Sequence, residues 1–213
     1  MPIKDSLRPL MGSDETEWGT PVPFFKSIDD IFGFELDVCA TAKNAKVDKY
    51  ISPDENAFET PWIVEGKSMI HVWMNPPYGR REIKCPFPFD KCKKKKCEKR
   101  GYHITEDIPG VGDWIERAIQ QSDENGTTVV ALLPSRTDTD WFQSVFTHAK
   151  AICFVRGRVK FEGAKDIAPF PSVLSVFSRV DLHDVIYEEL STLGNVIDPR
   201  EGQILIYGGA VLR

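Results

Sequence analysis

The octapeptide Val72-Trp73-Met74-Asn75-Pro76-Pro77-Tyr78-Gly79 places an amide, two prolines and an aromatic ring directly after an apolar run. The apolar residues from Met69 to Met74 suit a buried strand, which Pro76 and Pro77 must end because proline has no N–H to donate to a ladder. The loop therefore starts at a strand's carboxyl end, where open α/β sheets bind ligands. An exocyclic amino nitrogen is a poor nucleophile, because its lone pair is delocalised into a ring or carbonyl. The Asn75 side-chain oxygen can accept one N–H of such an amine, and a carbonyl held by proline, that of Pro76, can accept the other. Two acceptors stabilise the positive charge that develops as the nitrogen attacks a sulfonium-bound methyl group. Proline stiffness at Pro76 and Pro77 fixes them beforehand, and Tyr78 offers a ring face for a base drawn out of its stack. The plainer alternative is a strand exit in which Asn75 caps a turn and Tyr78 packs in the core.

A second set of reactive residues follows within residues 80–112. Cys85, Cys92, Cys97 and His103 give Cys-x6-Cys-x4-Cys-x5-His, four soft ligands in a stretch too short and too charged to build a core. Three thiolates and an imidazole suit a closed tetrahedral zinc site, in which the metal supplies folding energy that apolar burial does not. The alternative is a basic loop with incidental cysteines. Arg80 to Tyr102 holds ten Lys and Arg against three acidic residues, a local charge of +7 in a chain whose net charge is −5. Arg80, Arg81, Lys93, Lys94, Lys95 and Lys96 are the candidate phosphate contacts, with Phe87, Phe89 and Tyr102 available to pack or stack. A solvated charged face is the competing explanation.

Thr20-Pro21 with Phe24-Phe25, Leu36-Asp37-Val38-Cys39-Ala40-Thr41, Asn44-Ala45-Lys46, Asn75-Pro76-Pro77-Tyr78 and Gly157-Arg158-Val159-Lys160-Phe161 occur in one order. That set resembles phage-type DNA N6-adenine methyltransferases, the phage Dam family, from Thr20 to about Phe177 apart from the Cys/His insertion. The resemblance implies transfer of a methyl group from S-adenosylmethionine to adenine N6 in double-stranded DNA. It implies a catalytic loop of Asn75, Pro76, Pro77 and Tyr78, and donor contacts from Thr20, Pro21, Phe24, Asp37, Ala40, Asn56 and Asn75. Arg158 and Phe161 would lie near the target base. For Phe24 and Phe25, core packing is an equal explanation. Where the family carries an acidic residue for the donor's adenine this chain has Asn56-Ala57-Phe58, so Asn56 and Asp54 both stand as candidates. Asn44 and Lys46 read as polar loop residues or donor contacts. Competing functions are an RNA or protein-glutamine amino-group methyltransferase, since the tetrapeptide recognises a planar nitrogen environment and the basic insertion favours nucleic acid over protein without separating DNA from RNA, and a noncatalytic zinc-containing DNA-binding module, for which the missing Gly-x-Gly pattern and Asn56 speak.

These residues need a frame. The 213 residues suit one α/β domain, expected as a Rossmann-like methyltransferase fold with a mostly parallel sheet flanked by helices and a small zinc-stabilised insertion. Residues 1–19 read as a loose arm and 20–213 as the domain, interrupted by 80–112. Ile28, Ile31 and Phe32 have helical spacing ended by Gly33; Phe34 to Ala40 reads as the first strand, and Tyr50 to Trp62 as turns. Further helices are expected around Trp114–Ile119 and Trp141–Phe146, and strands at Thr127–Leu133, Ala151–Val155 and Ser172–Val180. From Asp181 onward, through Ile204–Tyr207, helix or strand is expected at an edge. No run is long enough to span a membrane, no secretory leader is visible, and clustered thiols suit a reducing compartment. An intracellular protein of a bacterium or phage-infected cell is expected.

Overall fold

The computed structural model describes residues 19–200, so all but the last residue of the arm expected over 1–19, and the segment containing Ile204–Tyr207, lie outside it. A six-stranded sheet has the order β1-β2-β3-β5-β4-β6. Its strands are β1 (Leu36–Asp37), β2 (His71–Met74), β3 (Thr128–Pro134), β4 (Ala151–Val155), β5 (Ser172–Phe177) and β6 (Gly194–Ile197). The helices are α1 (Val22–Phe32), α2 (Lys95–Arg100), α3 (Val111–Asn125), α4 (Asp140–His148) and α5 (Asp184–Ser191).

β3 and β5 are buried along their whole length and read as apolar runs because both faces of the sheet are covered. Alternation then sorts side chains between two layers. Val129, Ala131 and Leu133 face α3 and α4 through Ile115, Ala118, Phe142 and Val145. Val130 and Leu132 face α1 and α5 through Ile28, Phe32, Tyr187 and Leu190. The helices lie on both faces, as expected.

The sheet is mixed, which corrects the expectation of a mostly parallel one. β1, β2 and β3 pair in parallel, but β5 runs antiparallel to both β3 and β4, and β6 antiparallel to β4. The physical reason is the connection. A parallel neighbour requires a crossover, usually a helix, and residues 156–171 between β4 and β5 contain none. The chain turns back instead, and β5 slots between β3 and β4. β1 is also shorter than the apolar run suggested. At Asp37 the chain bonds sideways to the 49–51 segment, Asp37 N–H to Lys49 O at 3.0 Å and Ile51 N–H to Asp37 O at 2.8 Å.

Candidate active site

Two strand exits meet at one end of the sheet. β1 ends at Asp37 and β2 at Met74, and the segments that follow line a cavity of about 440 Å³. Val72, Trp73 and Met74 are buried, which anchors the start of the proline loop, and Pro76 is buried behind it. The Asn75 amide is held at both ends. Its Nδ2 donates to Thr20 Oγ1 at 3.1 Å, while its Oδ1 accepts the Tyr78 hydroxyl at 2.7 Å. That hydroxyl also lies 3.1 Å from the Leu132 carbonyl, so one proton serves two acceptors. Burial pushes the Tyr78 phenol well above its ordinary pKa, with the neighbouring Cys39 adding to the rise, and the ring stays a neutral donor. Tyr78 meets Phe170 edge-on at 5.6 Å and Phe161 at 6.2 Å. In this arrangement the ring is braced by its neighbours and its hydroxyl occupies the Asn75 side-chain oxygen.

At the end of β1 the buried Asp37 carboxylate organises the next loop. Oδ1 accepts the Cys39 N–H at 3.2 Å and Oδ2 the Lys46 N–H at 3.1 Å. Burial raises its pKa to about 6, although both amides and the Lys46 charge oppose the rise. Cys39 is raised well above the ordinary thiol value by burial and then by the Asp37 charge. Lys46 lines the cavity and pairs with Glu162 at 2.7 Å. Glu162 Oε1 accepts the Val22 N–H at 3.2 Å, and its backbone bridges Gly19, where an added Cβ would fall 2.7 Å from Glu162 Oε2. This strap brings Thr20 beside Asn75.

The opposite wall is apolar. Ile51, Pro53 and Ala57 join Phe58 and Trp114, whose rings are 4.6 Å apart. Asn56 stands there in a left-handed conformation (φ 55°), a geometry that asparagine tolerates. Its Oδ1 accepts the Phe58 N–H at 3.1 Å, so its side chain shapes the turn that presents Phe58.

Of the residues expected to act, Thr20, Asp37, Ala40, Asn56, Asn75, Pro76, Pro77, Tyr78 and Arg80 line this cavity. Pro21, Phe24 and Asp54 do not; Phe24 packs against the aromatic layer under α1. Asn44 and Lys46, read as loop or donor contacts, are in the lining. Phe58, Trp114, Phe170, Ile108 and Pro109 also line it, although no motif in the sequence marks them as site residues. No spacing rule joins positions so far apart in sequence; only the folded cavity does.

Residues 80–110 leave the cavity rim and return to it. Glu82 pairs with Ile108, and the Cys85 N–H donates to Ile104 O at 2.9 Å, which makes a short antiparallel stem. Beyond the stem, Cys85, Cys92, Cys97 and His103 converge, with all four ligand atoms within 4.8 Å of one another. The Cys85 and Cys97 sulfurs are 3.3 Å apart and those of Cys92 and Cys97 3.7 Å, against roughly 3.7 Å between thiolates on tetrahedral zinc. His103 Nδ1 is buried without a hydrogen-bond partner, an orphan that suits a metal site. For Cys85, burial raises the thiol pKa, but hydrogen bonds with Cys97, His103, the Ile104 amide and Cys92 outweigh it and bring it down to about 6. Arg100 Nη2 lies 3.2 Å from Cys97 Sγ and 3.0 Å from Glu82, so a cation stands beside the sulfur cluster.

The basic residues divide. Arg81 pairs with Asp113 at 3.2 Å and Asp107 at 3.6 Å, bracing the stem against α3. Lys94 Nζ donates to the Ile83 and Lys84 carbonyls, and Lys96 pairs with Glu82 at 3.3 Å. Lys93, Lys95 and Arg158 are exposed; Arg158 reaches only the Ala168 carbonyl at 3.4 Å, away from the insertion in sequence. Among the described residues no helix is long and apolar enough to cross a membrane.

Fold and cavity together define a mixed α/β protein with a polar amide loop and an aromatic wall facing one ligand space at the carboxyl ends of its parallel strands. A family model for DNA N-6-adenine-methyltransferase (Dam) matches residues 10–173. A DNA N-6-adenine-methyltransferase of Haemophilus phage HP1 (strain HP1c1) is 31% identical over 152 residues, 70% of this chain and 68% of that protein. One of Escherichia phage T1 is 25% identical over 139 residues, 65% of this chain but only 44% of that protein. The chain belongs to the DNA N-6-adenine-methyltransferase (Dam) family.

Proposed function

We propose that this protein transfers a methyl group from S-adenosylmethionine to the N6 amino group of adenine in DNA, with Asn75 as the central catalytic residue. The observation that carries this reading is the Asn75 carboxamide, fixed by Thr20 and Tyr78 at the wall of the cavity in a chain of this family.

The cavity fits the donor chemically. Apolar walls from Ile51, Pro53, Phe58 and Trp114 suit a purine, and the buried Asp37 carboxylate suits a cationic group at the other end. When bound, S-adenosylmethionine supplies an electrophilic methyl group: the S–C bond breaks with its electron pair left on sulfur, which departs as the neutral thioether S-adenosylhomocysteine, as the new N–C bond forms, and the methylated amine then loses one proton to solvent. Asn75 Oδ1 and the Pro76 carbonyl accept the two N–H bonds of the target amine and stabilise the charge growing on it. Tyr78 must release Oδ1 for this to happen. Its swing away from Phe170 and toward an extruded base would free the acceptor and expose the stacking face in one motion.

The fold reading that goes with this function is a Rossmann-like methyltransferase domain with residues 80–112 as an inserted element. Parallel β1, β2 and β3, with ligand loops after β1 and β2, support it. The insertion would hold one structural zinc through Cys85, Cys92, Cys97 and His103. Four protein ligands leave no open position, so the metal would organise the chain and not activate water. Lys93, Lys95 and Arg80 would contact phosphates of double-stranded DNA. Thiolate ligands and a DNA substrate support an intracellular site of action.

The test is transfer of labelled methyl from S-adenosylmethionine to unmodified duplex DNA, followed by nucleoside digestion and mass spectrometry. N6-methyladenine is expected from the native protein. Asn75→Ala should lower kcat by roughly 100-fold or more while the fold persists. Near-native transfer by folded Asn75→Ala would remove Asn75 from the mechanism, and transfer to RNA or protein alone would replace the substrate.

A further inference from the structure

The inserted element exposes apolar surface at its far end. Phe87 is 83% exposed, the largest exposure of any large hydrophobic side chain among the described residues. Its ring is nevertheless braced. It meets Phe89 edge-on at 5.6 Å, and Phe89 stacks flat on the His103 imidazole at 4.9 Å and 8°. His103 is one of the four clustered ligands, so the aromatic tip sits directly on the element's rigid centre. Exposed Lys84, Lys91 and Lys93 flank it in sequence. The stem below it, through Glu82 and Ile108, runs back to Arg80, Ile108 and Pro109 at the cavity rim.

We propose that Phe87 is a wedge that enters the DNA base stack beside the target adenine and fills the space left when that base is drawn into the cavity. The inference rests on the DNA adenine methyltransferase reading and adds to it a residue that nothing in the catalytic loop supplies. Chemistry on a base inside a duplex requires that the base leave its stack, at a cost of a few kcal/mol. An apolar side chain inserted at the vacated step offsets part of that cost by covering the exposed base faces. Phe87 meets the three requirements of such a wedge: an uncovered ring, a braced base, and a position on a stem rooted at the cavity rim. The exposed lysines that flank Phe87 in sequence select the occupant, because a polyanion satisfies both the charge and the apolar ring whereas a neutral apolar partner leaves the charge unmet.

Two measurements decide the matter. Phe87→Trp adds an indole at the tip, and its emission is read against the native protein with acrylamide as quencher. The DNA is sheared, unmethylated genomic duplex in the presence of S-adenosylhomocysteine. Saturating duplex is expected to shield the added indole, and polyglutamate, which offers charge without bases, is expected to leave it open. In the second arm, labelled methyl transfer is compared on native and heat-denatured samples of the same DNA. Phe87→Ala should lower kcat/KM on duplex about tenfold and leave denatured strands within about twofold, with Phe87→Leu intermediate. An indole that remains quencher-accessible in the duplex complex overturns the proposal, as does an equal loss on both DNA forms. If the native protein methylates no DNA at all, the enzymatic reading fails separately, and the indole measurement still decides whether the tip inserts into duplex.

Discussion

At the scale of single residues, the cavity contains side chains that hold one another as much as they await ligands. Thr20 fixes Asn75 Nδ2, Tyr78 occupies Asn75 Oδ1, and Asp37 spends one lone pair on each side with the Cys39 and Lys46 amides. Two acceptors on Asp37 remain for a cationic ligand group, and they work only when the carboxyl is ionised. Its pKa near 6 therefore makes a prediction of two opposite signs. Donor affinity, measured by calorimetry, should fall about tenfold from pH 7 to pH 5 as Asp37 takes up a proton, because the charge partner of the donor is lost. Folding stability moves the other way. A carboxyl whose folded pKa lies above its unfolded one contributes stability that is complete below the unfolded value, near 4, and is lost as pH rises through about 6. That contribution is on the order of 3 kcal/mol, and thermal melts of the native protein and Asp37→Asn across pH 4 to 7 should differ in slope over that window. Identical melting profiles, or donor affinity flat from pH 7 to 5, would remove Asp37 as the titrating contact.

At the scale of elements, the site depends on two segments that no strand or long helix supports, the strap at residues 19–21 and the inserted element on its stem. The stem crosses the start of α3 so closely that a Cβ on Gly110 would fall 2.3 Å from the Arg81 nitrogen and 2.9 Å from the Arg80 carbonyl carbon. Gly110→Ala should therefore push the stem off α3 and destabilise the protein by about 1–3 kcal/mol, read as a lower denaturant midpoint. An unchanged midpoint would mean that the crossing is slack. Chelation offers a milder disruption. If the cluster holds the proposed zinc, hydrogen exchange should rise across residues 82–108 on its removal, while β3 and β5, buried on both faces, keep their protection. These elements differ in how far the sequence revealed them. The cysteine spacing announced a cluster, and α1, α3, α4, β3 and β4 follow apolar periods closely, because burial on one or both faces is written in local pattern. Strand direction is not. Nothing in Ser172–Phe177 distinguishes a parallel from an antiparallel strand, since that is decided by the missing crossover in residues 156–171. The aromatic wall escaped for a related reason. Phe58 reads as one more turn residue and Trp114 as one more core position until α3 brings the two rings to 4.6 Å.

At the scale of the whole molecule, an acidic chain has to approach a polyanion. A net charge of −5 would oppose DNA if it were spread evenly, yet the stretch from Arg80 to Tyr102 is locally +7, leaving the excess acid elsewhere. Under the proposed function, segregation would turn an unfavourable average into an oriented one: the inserted element would be attracted, the remaining surface repelled, and the cavity rim presented to the duplex. How many of the basic residues take part is set by their other commitments. Lys94 and Lys96 already bond within the element and Arg81 is paired with two aspartates, whereas Lys93 and Lys95 are exposed. Each phosphate neutralised contributes about 0.9 to the slope of log affinity against log salt. Replacing Lys93 and Lys95 with Ala should accordingly flatten that slope by roughly 2, measured by fluorescence anisotropy on duplex DNA across a salt series. Replacing Arg81 with Ala should instead lower stability through the lost contacts to α3, with a smaller change in slope. A slope that stays unchanged without Lys93 and Lys95 would place the DNA on another face and detach the inserted element from the approach.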